Sequence, residues 1–190
     1  MPRLFAALSL PAEVALALAA ARGGVFGARW IEPSDYHVTL RFVGDVDVHA
    51  AREVADALAT VRRPPVAVDF QGLSWFGGDK PRAIVARIRP SSPLVELQGD
   101  LERRLRRVGL PPETRNFAPH VTLARLRGVG PAAVADYLGA RGGFAPPSFE
   151  APRFALYSAR DSVGGGPYVV EADYPLGRAT MQRRLSASGV

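Results

Sequence analysis

The most constraining feature of this chain is a short phrase that it writes twice. The copies are Tyr36-His37-Val38-Thr39-Leu40-Arg41-Phe42-Val43-Gly44 and Pro119-His120-Val121-Thr122-Leu123-Ala124-Arg125-Leu126. Each is rich in β-branched and apolar residues and reads as a buried strand. In a strand side chains alternate, so His37 and Thr39 point one way while Val38 and Leu40 point the other. The second copy repeats this with His120 and Thr122 against Val121 and Leu123. Two strands with matching faces are expected to be neighbours, which would bring two imidazoles and two hydroxyls to one cleft.

A pair of histidines suits phosphoester chemistry. Near neutral pH one can be neutral and take a proton from a nucleophile while the other, cationic, gives one to the leaving oxygen. A threonine hydroxyl two residues on lies beside each ring and can donate to non-bridging phosphate oxygens, where charge is held in the transition state. A metal centre is not expected: there is no His-Glu-x-x-His, no cysteine, and no Asp or Glu on the histidine face within either strand. The third histidine, His49, stands among Asp45, Asp47 and Arg52 and reads as a surface residue.

At 190 residues the chain is expected to form one compact unit over 1–177 with a frayed tail over 178–190. The absence of cysteine excludes a disulfide framework and favours a cytoplasmic protein. The Ala/Leu-rich opening resembles a signal peptide, but Pro11 and Glu13 interrupt it; it reads as a strand from Arg3 followed by a helix. No apolar run is long enough to span a bilayer. The net charge of +6 points to a polyanionic partner. Lys80 is the single lysine among 24 basic residues, which coding bias explains as readily as phosphate recognition.

Helices are expected over 12–26, 48–61, 91–108 and 131–138, the third with Leu94, Leu97, Leu101 and Leu105 on one stripe. Further strands are expected over 66–70 and 83–88, flanking a hairpin tip that carries Trp75 and Phe76 as exposed stacking groups. Two closing strands, 149–158 and 168–175, bracket a glycine turn at 164–166. This order predicts an α+β fold of two pseudo-symmetric lobes, each an antiparallel-rich sheet with helices on its outer face, facing each other across a central groove. In regular strands Arg41 shares the His37 face and Arg125 opposes His120, so a phosphate role for Arg125 needs a bend. For each arginine, a structural ion pair and a substrate contact are equally open.

The phrases His37-Val38-Thr39-Leu40-Arg41-Phe42-Val43-Gly44 and Phe117-Ala118-Pro119-His120-Val121-Thr122-Leu123-Ala124-Arg125 resemble the two signature motifs of the 2H phosphoesterase superfamily. Within it the chain is most similar to the bacterial and archaeal RNA 2′,3′-cyclic phosphodiesterase, or 2′-5′ RNA ligase, family. The opening Arg3-Leu4-Phe5-Ala6-Ala7-Leu8 and the closing Leu156-Tyr157-Ser158, Tyr168-Val169-Val170 and Tyr174-Pro175-Leu176 share the resemblance. It implies a bilobal α+β fold and hydrolysis of RNA terminal 2′,3′-cyclic phosphates to 2′-phosphomonoesters without metal or other cofactor; separately, a monomer is expected. It also implies that His37 donates a proton to the departing 3′ oxygen and that His120 activates water, with 2′-5′ ligation as the reverse reaction. Where relatives often carry an aromatic residue on the strand after the hairpin, this chain has Val85, which leaves base stacking to Trp75, Phe76, Phe42 or Phe5. One alternative is a phosphodiesterase for another small cyclic or 2′-5′ linked nucleotide, since the motifs fix the chemistry and not the base or chain length; another is a non-catalytic RNA-binding module, against which the two intact motifs argue.

Overall fold

The computed structural model describes residues 3–159 and 166–177. The expected turn at 164–165 and the tail from 178 lie outside them. Among the described residues, ten strands and four α-helices occur in the order β1 (Arg3–Ser9), α1 (Ala12–Ala19), β2 (Ala28–Trp30), β3 (His37–Asp45), α2 (Val48–Ala59), β4 (Val66–Val68), β5 (Phe70–Phe76), β6 (Ala83–Ile88), α3 (Ser92–Arg107), β7 (His120–Leu126), α4 (Pro131–Gly139), β8 (Phe149–Ala151), β9 (Arg153–Ala159) and β10 (Val169–Pro175). A short 3₁₀ turn, Pro33–Asp35, leads into β3.

The helices form where local chemistry dictates. In α3, Leu94, Leu97, Leu101 and Leu105 recur at helical spacing and are fully buried, while Arg104, Arg106 and Arg107 sit in the last turn, where the helix dipole favours cations. The Asp47 side chain caps α2 by accepting from the Ala50 N–H at 2.8 Å. The first helix stops at Ala19, short of the expected end near 26, and Gly23, Gly24 and Gly27 at positive φ carry the loop beyond it. The Ala/Leu-rich opening is thus folded as a sheet strand and a short helix.

Every strand pairing among the described residues is antiparallel. The main sheet runs β10-β9-β1-β3-β7-β6-β5, with β2 also on β7. The α+β class holds, but the two halves are not separate sheets. They join where Val38 of β3 pairs with Val121 of β7. Beyond that pair the strands part, and β2 takes up the edge of β7 from Ala124 to Leu126. A single hydrophobic cluster extends from Leu4 to Leu176.

Two expectations about strands change. Val66–Val68 does not pair with Ala83–Ile88; it forms a small separate sheet with Phe149–Ala151, and the partner of β6 is Phe70–Phe76. Trp75 and Phe76 therefore lie in a strand, and the tip is the Gly77–Lys80 turn. Glycine is needed there, since at Gly77 φ is +111° and a Cβ would lie 2.2 Å from the Lys80 carbonyl oxygen. The expected strand 149–158 divides at Pro152, which cannot donate to a ladder.

Candidate active site

The two His-x-Thr pairs come together on one face of the sheet. In the register set by Val38 and Val121, His37 falls across from Thr122 and Thr39 across from His120, with Val38 and Val121 fully buried beneath. Both rings are held alike. Nδ1 of His37 lies 2.7 Å from the Asp35 carbonyl oxygen, and Nδ1 of His120 lies 2.7 Å from the Ala118 carbonyl oxygen. A carbonyl can only accept, so each Nδ1 carries hydrogen and each neutral ring keeps its Nε2 lone pair for chemistry.

Burial depresses both imidazoles. His37 is pushed down to about 4, chiefly by desolvation against its backbone hydrogen bond, with the nearby charges of His120 and Arg125 acting in the same direction as burial. His120 is also lowered, again first by burial, with a contribution from Arg125. Aromatic rings account for much of the cover. Phe5, Tyr168 and Tyr157 stand 4.8, 5.1 and 6.1 Å from the His37 ring, and Phe76 stands edge-on 4.7 Å from His120. A cavity of about 590 Å³ opens beside His37, with Ser9, Leu16, Asp35, Tyr157 and Tyr168 among its walls.

Matching β-bulges rearrange the strand just past each His-x-Thr pair. On the β1 side, Ala7 pairs with Thr39 and Ala6 with Arg41, leaving Leu40 as the extra residue. On the β6 side, Val85 pairs with Thr122 and Ile84 with Ala124, leaving Leu123 extra. Each bulge shifts the alternation by one. Arg41 and Ala124 are consequently buried on the far face, while Phe42 and Arg125 are exposed on the histidine face. The expected position of Arg41 on the His37 face is thus corrected, and the bend that Arg125 required is present.

Arg41 is 7% exposed and donates to the Glu102 carboxylate on α3 and to the Phe42 and Pro111 carbonyl oxygens. Glu102 also accepts from the Glu113 N–H at 3.1 Å. Arg41 thereby ties the first motif to the loop that delivers His120.

A profile of the 2′-5′ RNA ligase superfamily matches residues 10–162. The chain belongs to this superfamily. An RNA 2′,3′-cyclic phosphodiesterase of Aeropyrum pernix is 35% identical over 100 residues, which cover 52% of this chain and 57% of that protein. The chain spans about half the length of the curated relatives it matches. TT0787 of Thermus thermophilus superposes with a TM-score of 0.77 at 22% identity over 93% of this chain and 99% of that one. E. coli LigT, in a crystal structure with 3′-AMP, superposes at 0.74 with 23% identity over 94% of this chain and all of that one. The fold is therefore LigT-like.

Of the remaining residues singled out in the sequence, this superfamily member brings Phe42 and Phe76 to the histidine face and turns Trp75 away. Phe42 is 43% exposed, and the Arg115 guanidinium lies 5.8 Å from its ring centroid. Phe76 pairs with Ala83, which pairs in turn with Arg125, so the three share that face. Trp75 pairs with Ile84 on the opposite face, packs against the core and donates from Nε1 to the Gly78 carbonyl oxygen at 3.1 Å. His49 lies on the surface, 3.7 Å from Glu53. Tyr157 of β9 and Tyr168, just before β10, belong to the closing phrases that share the family resemblance, but their place beside His37 was not legible: each reaches it from more than a hundred positions along the chain. No helix among the described residues is long and apolar enough to cross a membrane.

Proposed function

We propose that this protein hydrolyses the terminal 2′,3′-cyclic phosphate of RNA to a 2′-phosphomonoester, as a monomer and by two-histidine acid/base catalysis. The observation that carries this reading is the identical tethering of two imidazoles, each with Nδ1–H on a carbonyl and Nε2 left for proton transfer, beside Thr39 and Thr122. The relative from Aeropyrum pernix and the binding of 3′-AMP by E. coli LigT support the substrate class.

His120 Nε2 takes a proton from water as the water oxygen attacks phosphorus. The bond from phosphorus to O3′ breaks in line, and His37 Nε2–H gives its proton to the departing oxygen. Thr39, Thr122 and Arg125 hold the equatorial oxygens as charge accumulates, while Phe42 and Phe76 flank the nucleoside. The two halves of the sheet, diverging from Val38 and Val121, are read as lobes that face each other across the substrate groove.

Both rings are depressed by burial, so the unliganded protein holds them neutral at pH 7. The anionic phosphate favours a cationic partner, and the proton that His37 donates is taken up from solvent when the substrate binds. Two imidazoles supply both proton transfers. Metal-free hydrolysis is the mechanism proposed. Incubation with a nucleoside 2′,3′-cyclic phosphate in EDTA, with identification of the product isomer, tests this: a 2′-phosphate is expected. A 3′-phosphate product would reverse the roles around phosphorus, and activity lost in EDTA and restored by a divalent cation would overturn the mechanism.

A further inference from the structure

We propose that Asp35 is a positioning residue for His37, acting by tying the Gly166–Tyr168 segment across the imidazole. Asp35 meets His37 twice. Its carbonyl oxygen holds Nδ1 at 2.7 Å, and its carboxylate Oδ1 accepts from the Tyr168 backbone N–H at 3.1 Å, a contact across 133 residues of sequence. The tie places the Tyr168 ring perpendicular to the His37 ring at 5.1 Å, where it also stands 5.0 Å from Phe5. Gly166 approaches the carboxylate so closely that a Cβ there would lie 2.0 Å from Oδ2, and its φ of +84° itself favours glycine. One short turn thus fixes the tautomer of His37 from below and its aromatic cover from above.

The proposal rests on reading His37 as a proton-transfer group, but its test needs no turnover. Burial is the first cause of the lowered titration of His37. The charged and titratable groups around it are His120 and Arg125 from β7, Tyr157 from β9, Tyr168 and Asp35 itself. His120 and Arg125 lower the ring's proton affinity, and the variants below leave both in place. Removing the negative charge of Asp35 would by itself move the midpoint down. An upward shift therefore reports an uncovered ring and not a lost charge.

The experiment tracks the His37 ring by NMR through a pH titration. In Asp35→Ala the midpoint is expected to rise by at least about one pH unit as water reaches the ring. Gly166→Ala, which breaks the same contact from the other side, is expected to shift it in the same direction. Asp35→Asn keeps an accepting oxygen and is expected not to raise it. Tyr168→Ala supplies the test if either of the first two variants does not fold, because it removes the ring and leaves the carboxylate. An unchanged His37 titration in the folded variants, even with lowered stability, would overturn the proposal. A shift in a protein that does not cleave cyclic phosphate would leave the positioning role standing and remove the proposed reaction.

Discussion

Val38 pairs with Val121, and this one antiparallel bridge is where the two copies of the motif meet. With both valines fully buried, the residues on either side of them in each strand are turned to the opposite face, so His and Thr from one copy confront Thr and His from the other. Hydrophobic packing of two small side chains thus sets the geometry of four polar ones.

The histidine and threonine pairs should respond unequally to substitution. His37→Ala and His120→Ala are each expected to lower kcat by at least about a hundredfold with the fold retained, because each removes a proton transfer. Thr39→Val and Thr122→Val are expected to cost less, each removing one hydrogen bond to phosphate. Steady-state kinetics with circular dichroism would check this. Full activity in a folded histidine variant would end the acid/base reading.

The two arginines, for each of which the sequence leaves an ion pair and a substrate contact open, should separate cleanly. Arg41→Ala leaves the Glu102 carboxylate without its buried partner and is expected to destabilise the protein by about 3 kcal/mol. Replacing both Arg41 and Glu102 by apolar residues should recover most of that loss. Arg125→Ala, on the exposed histidine face, is expected to leave stability unchanged and to reduce turnover at least about tenfold. Denaturant midpoints beside kcat would show the contrast; an Arg41→Ala protein of wild-type stability contradicts it.

Stability should fall in mild acid for a reason that resides in His37. Its folded value is about 4 against an ordinary 6.5, so between those values the unfolded chain binds a proton that the folded one refuses. This contribution to stability is complete above pH 6.5 and is lost as pH drops toward 4. Urea midpoints measured across that window should decline less steeply in His37→Gln than in the wild type. Binding of a non-hydrolysable phosphate should act oppositely, with uptake of about one proton detectable by calorimetry in buffers of different ionisation enthalpy.

Salt distinguishes an RNA groove from a mononucleotide pocket. If several phosphates of a strand are held by arginines, oligonucleotide affinity should fall steeply with ionic strength, while that of a single cyclic nucleotide should change little. Fluorescence anisotropy over a salt series would measure both. A flat dependence for the oligonucleotide would favour a small cyclic or 2′-5′ linked nucleotide as the substrate.

The chain's own order of residues determined the two matched His-x-Thr faces and the local elements. The duplicated His-x-Thr phrase was readable because strand alternation is a property of each segment alone, and the leucine stripe of α3 was readable because helical periodicity is equally local. Only the tertiary structure decided the rest. The bulges at Leu40 and Leu123 arise in pairing with β1 and β6, and that pairing sends Arg41 to Glu102 and keeps Arg125 beside the histidines. Trp75 and Phe76 differ in role for the same reason: which face a residue occupies is set by the partner strand's register. Asp35 and Tyr168 stand far apart in sequence, and no periodicity links them. Their hydrogen bond exists because β9 pairs with β1, the neighbour of β3, and β10 with β9, which brings the segment before β10 to the turn before β3.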